Sequence, residues 1–336
     1  MLAPDQHFAP LLERTLPLEV CITGGSGFIG KRLTAALLAR GDQVRSLTRK
    51  SAGVTGAPQG LSFHPGDLTD PQVALGGFLA GARVLFHCAG EINDTARMRP
   101  LHVDGTARLL AAARQQFAAG GQPLHWVQLS SVGAYGPDRR PDRRQPRIVD
   151  EETAPAPVGE YEVTKTEADQ LVLDAAREGY ITCTLLRPAN VFGADMPNQS
   201  LRSMIAFIRK GLFFYIGPDD VVATYIHVDD VVETLLACGC DPRARGHVFN
   251  LSNDCAYGDL VNAIADAAGV RRPRLRLNET LVRRIVALAS PFLRLPLTPE
   301  RIDAMRVRTR YPVTKLQSVL GLAPRREVCD AIRELL

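Results

Sequence analysis

The sequence predicts an α/β fold: a doubly wound parallel sheet carrying a smaller C-terminal lobe. Three observations predict it. Short apolar runs alternate with helix-period segments through the first 190 residues. The turn between the first run and the first helix, residues 23–30, reads TGGSGFIG, with glycines at every third position from Gly24 to Gly30. The alternation then breaks after Gly193, where proline, glycine and aromatic residues crowd Pro197–Pro218. Parallel strands need crossover helices, so an alternating rhythm yields a sheet covered on both faces.

The elements follow in order. The expected strands are Leu18–Thr23, Gln43–Thr48, Leu61–Phe63, Ala82–His87, Leu124–Leu129 and Ile181–Leu186. Helical spacing marks Phe28–Arg40, Pro71–Ala80, Thr95–Ala119 and Glu160–Glu178. Ile29, Leu33 and Leu37 recur on one face of the first helix, and Gly41, Gly120 and Gly179 stand where helices stop. Past the break, Thr224–Val228 reads as a strand, a helix opens at Asp229 or Asp230, and Val248–Leu251 is a further strand. The chain accordingly divides into residues 17–193 and a lobe, 194–336, interleaved with the last sheet elements.

Composition narrows the classes. At 336 residues the chain holds one large domain or two small ones, and 46% hydrophobic residues with 23% charged ones are ordinary for a globular protein. A net charge of +4 is too slight for a nucleic-acid partner. Residues 271–310 hold eleven arginines against Glu279, Glu300 and Asp303, a solvated surface or the mark of an anionic substrate. Seven scattered cysteines without a CxxC pair predict reduced thiols, no metal site and a cytoplasmic protein. Asp5, Glu13 and Arg14 interrupt any signal-peptide core. Arg283, Arg284, Arg294 and two prolines break the apolar stretch Leu281–Leu297, which argues against membrane contact. The loop Asp138–Arg147 is the one biased segment, rich in arginine and proline.

Gly24, Gly27 and Gly30 follow a strand and open a helix, the context that a dinucleotide-binding, Rossmann-type turn requires. Absent side chains let the backbone approach a pyrophosphate, and the helix N-terminus, beginning at Phe28 and Ile29, supplies unpaired N–H groups. Residues 17–193 are thus read as an NAD(P)-binding unit. The second strand ends in SLTRK, where Arg49 and Lys50 suit a 2′-phosphate, so NADP is favoured over NAD. Arg32 in the first helical turn is a candidate helper.

Tyr161 and Lys165 in YEVTK stand four residues apart, on one face of a helix. A nearby ammonium lowers a phenol's pKa toward the working range. Ser130 and Ser131 end the strand Leu124–Leu129, where a hydroxyl meets the cofactor crevice.

The segments TGGSGFIG, GDLTD, VLFHCAG, GTARLL, LSSVGAYG, YEVTK, LRPANVFG and YIHVDDVV resemble an extended short-chain dehydrogenase/reductase, the group of nucleotide-sugar epimerases, dehydratases and ketoreductases. The resemblance covers roughly residues 18–255. It implies that Asp67 and Leu68 hold the adenine, that Ala89 and Gly90 line the nicotinamide-side ribose, and that Pro188 packs beside the nicotinamide. It implies Ser131 as the group polarising the reacting oxygen, Tyr161 as acid/base, Lys165 as ribose ligand and tuner of the tyrosine, and Asn190 as substrate-facing. His227 in YIHVDD reads as structural rather than as a base.

Three positions depart from that pattern. His102 stands where the family usually has Asn, three residues before the Gly105-Thr106 pair. Ala223 and Thr224 precede Tyr225, where many sugar epimerases carry an arginine that grips the diphosphate; an arginine of 271–310 could substitute. Val132 and Gly133 follow Ser131 where dehydratases carry an acidic pair, which argues against 4,6-dehydration. The expectation is an NAD(P)-dependent oxidoreductase moving hydride to or from a secondary carbinol or ketone carbon of a small molecule, a nucleotide-activated sugar. The alternatives are a nucleotide-sugar epimerase with retained NAD, a reductase of a hydrophobic alcohol or ketone with Phe213–Ile216 lining its pocket, and a non-catalytic cofactor-binding sensor. A homodimer is expected from the resemblance.

Overall fold

The computed structural model describes residues 17–49, 57–140, 145–197, 199–289 and 307–336. Lys50, Arg294, the first 16 residues and positions 141–144 of the arginine-rich loop lie outside the described residues.

The first half runs β1 (Glu19–Thr23), α1 (Phe28–Ala39), β2 (Gln43–Thr48), β3 (Leu61–Pro65), α2 (Gly76–Leu79), β4 (Val84–His87), α3 (Thr95–Arg99), α4 (Gly105–Ala118), β5 (Leu124–Leu129), β6 (Arg147–Ile148), α5 (Glu160–Arg177) and β7 (Ile181–Pro188). The second half continues with β8 (Asn190–Phe192), α6 (Gln199–Arg209), β9 (Tyr215–Ile216), β10 (Val222–His227), α7 (Val228–Cys240), β11 (Val248–Leu251), β12 (Asn253–Ala256) and α8 (Tyr257–Ala267). It closes with β13 (Arg276–Leu277), α9 (Glu279–Ala289), β14 (Thr309–Arg310), α10 (Thr314–Leu320) and α11 (Val328–Ala331).

Seven strands form one parallel sheet in the order β11-β7-β5-β4-β1-β2-β3. Strand alternation sends neighbouring residues to opposite faces. Val20, Ile22, Phe86, Val127 and Leu186 pack with Leu33 and Leu37 of α1, Val231 and Leu235 of α7, and Leu316 of α10. Cys21, Leu85, Trp126 and Leu185 pack on the other face with Phe78 of α2, Leu109 of α4 and Val172 of α5. The fold is therefore doubly wound, as the alternation predicts. The strand order reverses between β1 and β4, and the C-terminal ends of those strands open the ligand crevice.

Residues from 190 onward serve two bodies. α7, β11 and α10 complete the large sheet. β8, β10 and β12 form a separate three-stranded sheet, whose core joins Phe192, Leu201, Ile205, Leu260, Ile264 and Val328.

Two helices differ from expectation. The segment Pro71–Ala80 is helical only over Gly76–Leu79, because Asp70 instead accepts from the Gln72 amide in a side-chain-capped turn. The segment Thr95–Ala119 is interrupted: Pro100–Asp104 forms a π-helical turn between α3 and α4. Pro100 has no N–H to continue the α-ladder, and the Gly105 amide reaches back to its carbonyl. The short strands β6, β8, β9, β12, β13 and β14 carry too few residues to show a period.

Candidate active site

Two glycines of the turn, Gly24 and Gly30, have a clear steric reason. Gly24 has φ +68°, and a Cβ there would lie 2.7 Å from the backbone of Cys88 and Ala89 at the end of β4. A Cβ at Gly30 would lie 2.1 Å from the Gly24 carbonyl oxygen, so the helix can seat on the turn only without it. Gly27 is the N-cap of α1, and it supplies no side-chain cap; the first turn holds no acidic residue. The first N–H groups of Phe28 and Ile29 are thus left for an anion, the fit a dinucleotide pyrophosphate needs.

Beyond the turn, Asp67 and Leu68 follow β3. Asp67 accepts from the amide and hydroxyl of Thr69. These bonds, with the charges of Arg49 and Arg97, outweigh its burial and lower its pKa. Leu68 is buried, while Arg49 is exposed at the end of β2. Arg32 does not point this way. It stacks on the Phe28 ring, donates to the Ala194 carbonyl and faces Asp229, so it ties α1 to the second lobe.

At the crevice's other wall, α5 packs against the turn Val132–Tyr135 that follows β5. Ser131 is half-buried and its Oγ accepts from the Gly133 amide, capping that turn. Glu162 fills the space in front of Gly133, where any side chain would strike it. The Tyr161 hydroxyl makes no hydrogen bond to the described residues. Burial, then the charges of Glu162 and Asp169, push its pKa up to about 12. The expected lowering by Lys165 is therefore not the balance here: the buried Lys165 ammonium donates to the Leu129 carbonyl at 2.6 Å. Burial also lowers the pKa of Lys165, opposed by the charge of Asp169.

The sequence reading missed that support. Tyr161, Lys165 and Asp169 lie at four-residue steps on one face of α5. Asp169 accepts from Ser130 at 2.6 Å and pairs with Arg187 at 3.3 Å, all of them buried. Arg187 in turn covers the Tyr135 ring, whose hydroxyl donates to Asn250. The i, i+8 stripe was visible in the sequence; its partners at the end of β5 and on β7 were not.

Other predicted residues divide. Ala89 and Gly90 follow β4 at the mouth of the crevice, with the Ala89 amide donating to Thr23. Pro188 is buried at the end of β7 beside Leu251. Asn190 is exposed, and its amide donates to the Thr224 carbonyl. Ala223 is buried in the second lobe's core. His227 caps α7 and contacts Glu334 and the Phe192 ring, a structural place. Phe213, Phe214, Tyr215 and Ile216 pack into two cores of the lobe. Several arginines of the basic stretch are taken: Arg272 by Asp266, Arg283 by Glu279, Arg308 by Asp220. No described helix is long and apolar enough to cross a membrane.

Comparison with known proteins agrees with this architecture. A ketoreductase of a farnesylated dihydroquinoline oxide from Stigmatella aurantiaca is 30% identical over 300 residues, 83% of this chain and 85% of the relative. The dTDP-6-deoxy-L-talose 4-dehydrogenase (NAD(P)(+)) of Kitasatospora kifunensis is 29% identical, covering 96% and 95%. The crystal structure of UDP-glucose 4-epimerase from Thermotoga maritima superposes with a TM-score of 0.70 at 20% identity, covering 95% of this chain and 97% of that one. The profile of the NAD dependent epimerase/dehydratase family matches residues 20–252. The chain belongs to that family, as an NAD(P)-dependent enzyme of the extended short-chain dehydrogenase/reductase type.

Proposed function

We propose that the protein is an NADP(H)-dependent ketoreductase of a nucleotide-activated sugar, reducing a ring ketone to a secondary alcohol. The observation that carries the reading is geometric: Tyr161 and Lys165 share one face of α5, and α5 packs against the turn that Ser131 caps. The Tyr161 phenol is half-buried and makes no hydrogen bond to the described residues, and desolvation pushes its pKa up to about 12. A protonated phenol is the form that donates to a developing alkoxide.

The nicotinamide cofactor, when bound, supplies the hydride. Gly24 and Gly30 shape the turn for its pyrophosphate, and the uncapped start of α1 donates N–H groups to it. Ser131 polarises the substrate carbonyl by donating its hydroxyl hydrogen. Tyr161 delivers its proton to the carbonyl oxygen as that oxygen gains charge. Lys165, fastened to the Leu129 carbonyl, holds a positive charge beneath the resulting phenolate until solvent restores the proton. Asn190 faces the substrate from the start of β8. The Kitasatospora kifunensis relative, matched over nearly its whole length, supports the sugar class.

Arg49 supports NADP(H), since an exposed cation at the end of β2 suits a 2′-phosphate. A second reading, a lipophilic ketone as substrate, is favoured by the ketoreductase from Stigmatella aurantiaca and by the apolar Ala223 before Tyr225. Cytoplasmic residence and self-association are part of the proposal, the latter read out by sedimentation.

The first test is fluorescence titration with NADPH and NADH, after mass spectrometry for a co-purified dinucleotide. Tighter, reversible NADPH binding is expected; tightly retained NAD would move the epimerase to first place. With a UDP-4-keto-6-deoxyhexose as substrate, Tyr161→Phe should lose turnover by about a hundredfold or more while keeping cofactor affinity. Full activity in that variant would remove Tyr161 from the mechanism.

A further inference from the structure

The π-helical turn Pro100–Asp104 delivers one buried side chain toward the crevice, His102. Its Nε2 accepts from the Glu91 amide at 2.9 Å. That nitrogen therefore carries no proton, and Nδ1 carries the ring hydrogen. Nδ1 donates to the Thr164 hydroxyl at 2.8 Å, and Thr164 passes its own hydrogen to the Glu160 carbonyl at 2.7 Å. The ring stands edge-on to Tyr161, centroids 5.7 Å apart at 84°.

A second relay ends on the same residue. The Ala89 amide donates to Thr23, and Thr23 donates to Nδ1 of His87 at 2.6 Å. His87 Nε2–H donates to Thr106 at 3.0 Å, and Thr106 donates to the His102 carbonyl at 2.5 Å. Every hydroxyl and ring nitrogen along both paths has one consistent role. The amides of Ala89 and Glu91 bracket Gly90, so both ends of the loop after β4 are tied to His102. The loop is otherwise held by Glu91, whose carboxylate accepts from the amides of Ile92 and Asn93.

We propose that His102 is a positioning residue: it clamps the loop after β4 to the N-terminal turns of α5, so that seating of the dinucleotide and placement of Tyr161 are set together. The two contacts of its ring serve different ends. The Glu91 contact fixes the loop that would line the ribose. The Thr164 contact fixes the helix that carries Tyr161 and Lys165. The histidine is suited to this because its two nitrogens point to opposite sides, one accepting and one donating. Burial and the charge of Lys165 hold its pKa down to about 3, so the tautomer persists at working pH.

The proposal rests on the acid/base assignment of Tyr161, and its test separates the two. An asparagine amide reaches the place of Nδ1, and a glutamine amide the place of Nε2. His102→Asn keeps the Thr164 link and severs Glu91; His102→Gln does the reverse. NADPH affinity, titrated on folded variants checked by circular dichroism, should fall about tenfold in His102→Asn and stay near wild type in His102→Gln. Turnover of the keto-sugar at saturating cofactor should fall more in His102→Gln. Thr164→Val, which cuts only the helix end, should keep affinity and lose turnover like His102→Gln. Equal NADPH affinity in the two His102 variants would overturn the proposal. The affinity comparison needs no turnover, so it stands even if Tyr161→Phe shows the acid/base reading to be wrong.

Discussion

The two walls of the crevice are built on opposite principles. The β1–α1 wall is backbone: three glycines remove side chains so that main-chain atoms approach one another. The β5–α5 wall is ionisable side chain: Lys165, Asp169 and Arg187 lie buried together, with His102 beside them. A backbone site is complete within one loop and needs only room. A buried charged site needs counter-groups, because an ion in a low-dielectric interior is costly unless paired and hydrogen-bonded. Those counter-groups come from β7 and from the end of β5, as well as from the turn before α4. The lesson is that the proposed cofactor wall is locally encoded and the proposed catalytic wall is assembled.

The largest effect is expected on the backbone wall. Gly30→Val places side-chain atoms where a Cβ already lies 2.1 Å from the Gly24 carbonyl oxygen. Dinucleotide binding should disappear from a fluorescence titration, with a stability loss of about 1–3 kcal/mol from overpacking. Retained binding would mean that the turn is looser than its contacts imply.

Next comes the assembled wall. Asp169→Ala removes the acceptor shared by Ser130 and Arg187 and leaves Arg187 and Lys165 uncompensated. Urea unfolding should show a loss of about 3–5 kcal/mol. Because Asp169 touches neither the glycine turn nor the loop after β4, the folded fraction should keep its dinucleotide affinity. A parallel loss of affinity in folded protein would erase the distinction between the walls.

The smallest effect is a slope. His102 and His87 are both held well below the ordinary histidine value, chiefly by burial. Below about pH 6.5 the unfolded chain therefore binds protons that the folded chain refuses. Stability should be full above that pH and fall as pH drops toward about 3, by up to about 1.4 kcal/mol per unit for each histidine. His102→Asn should make the fall shallower by one such contribution in urea melts between about pH 6 and pH 5. An unchanged slope would show that His102 is protonated in the native state.

Much of the first wall was legible in the sequence. The glycine spacing, the strand before it and the helix after it predict the turn, and the structure supplies the contacts that require Gly24 and Gly30. Tyr161 and Lys165 were legible as a pair because four residues make one helical turn. The state of the pair was not. A neighbouring ammonium suggested a lowered phenol pKa, yet desolvation wins, and Lys165 turns to the Leu129 carbonyl. His102 stood out as a departure from the expected asparagine, but its role depends on the π-helical turn, which Pro100 alone did not announce. Arg32 read as a candidate helper to Arg49 from its place in the first turn; its length let it reach Ala194 instead.

By itself the sequence determined the alternation of strands and helices, the glycine turn, and the helical spacing that sets Tyr161 and Lys165 on one face. These follow from local periodicity and from the few residues able to adopt a given backbone. Tertiary structure alone decided which charges are buried together, which carbonyl receives Lys165, and how two relays meet at His102. Hydrogen bonds between residues 62 or 64 positions apart leave no periodic trace. They form only once the sheet has brought the ends of its strands to one edge.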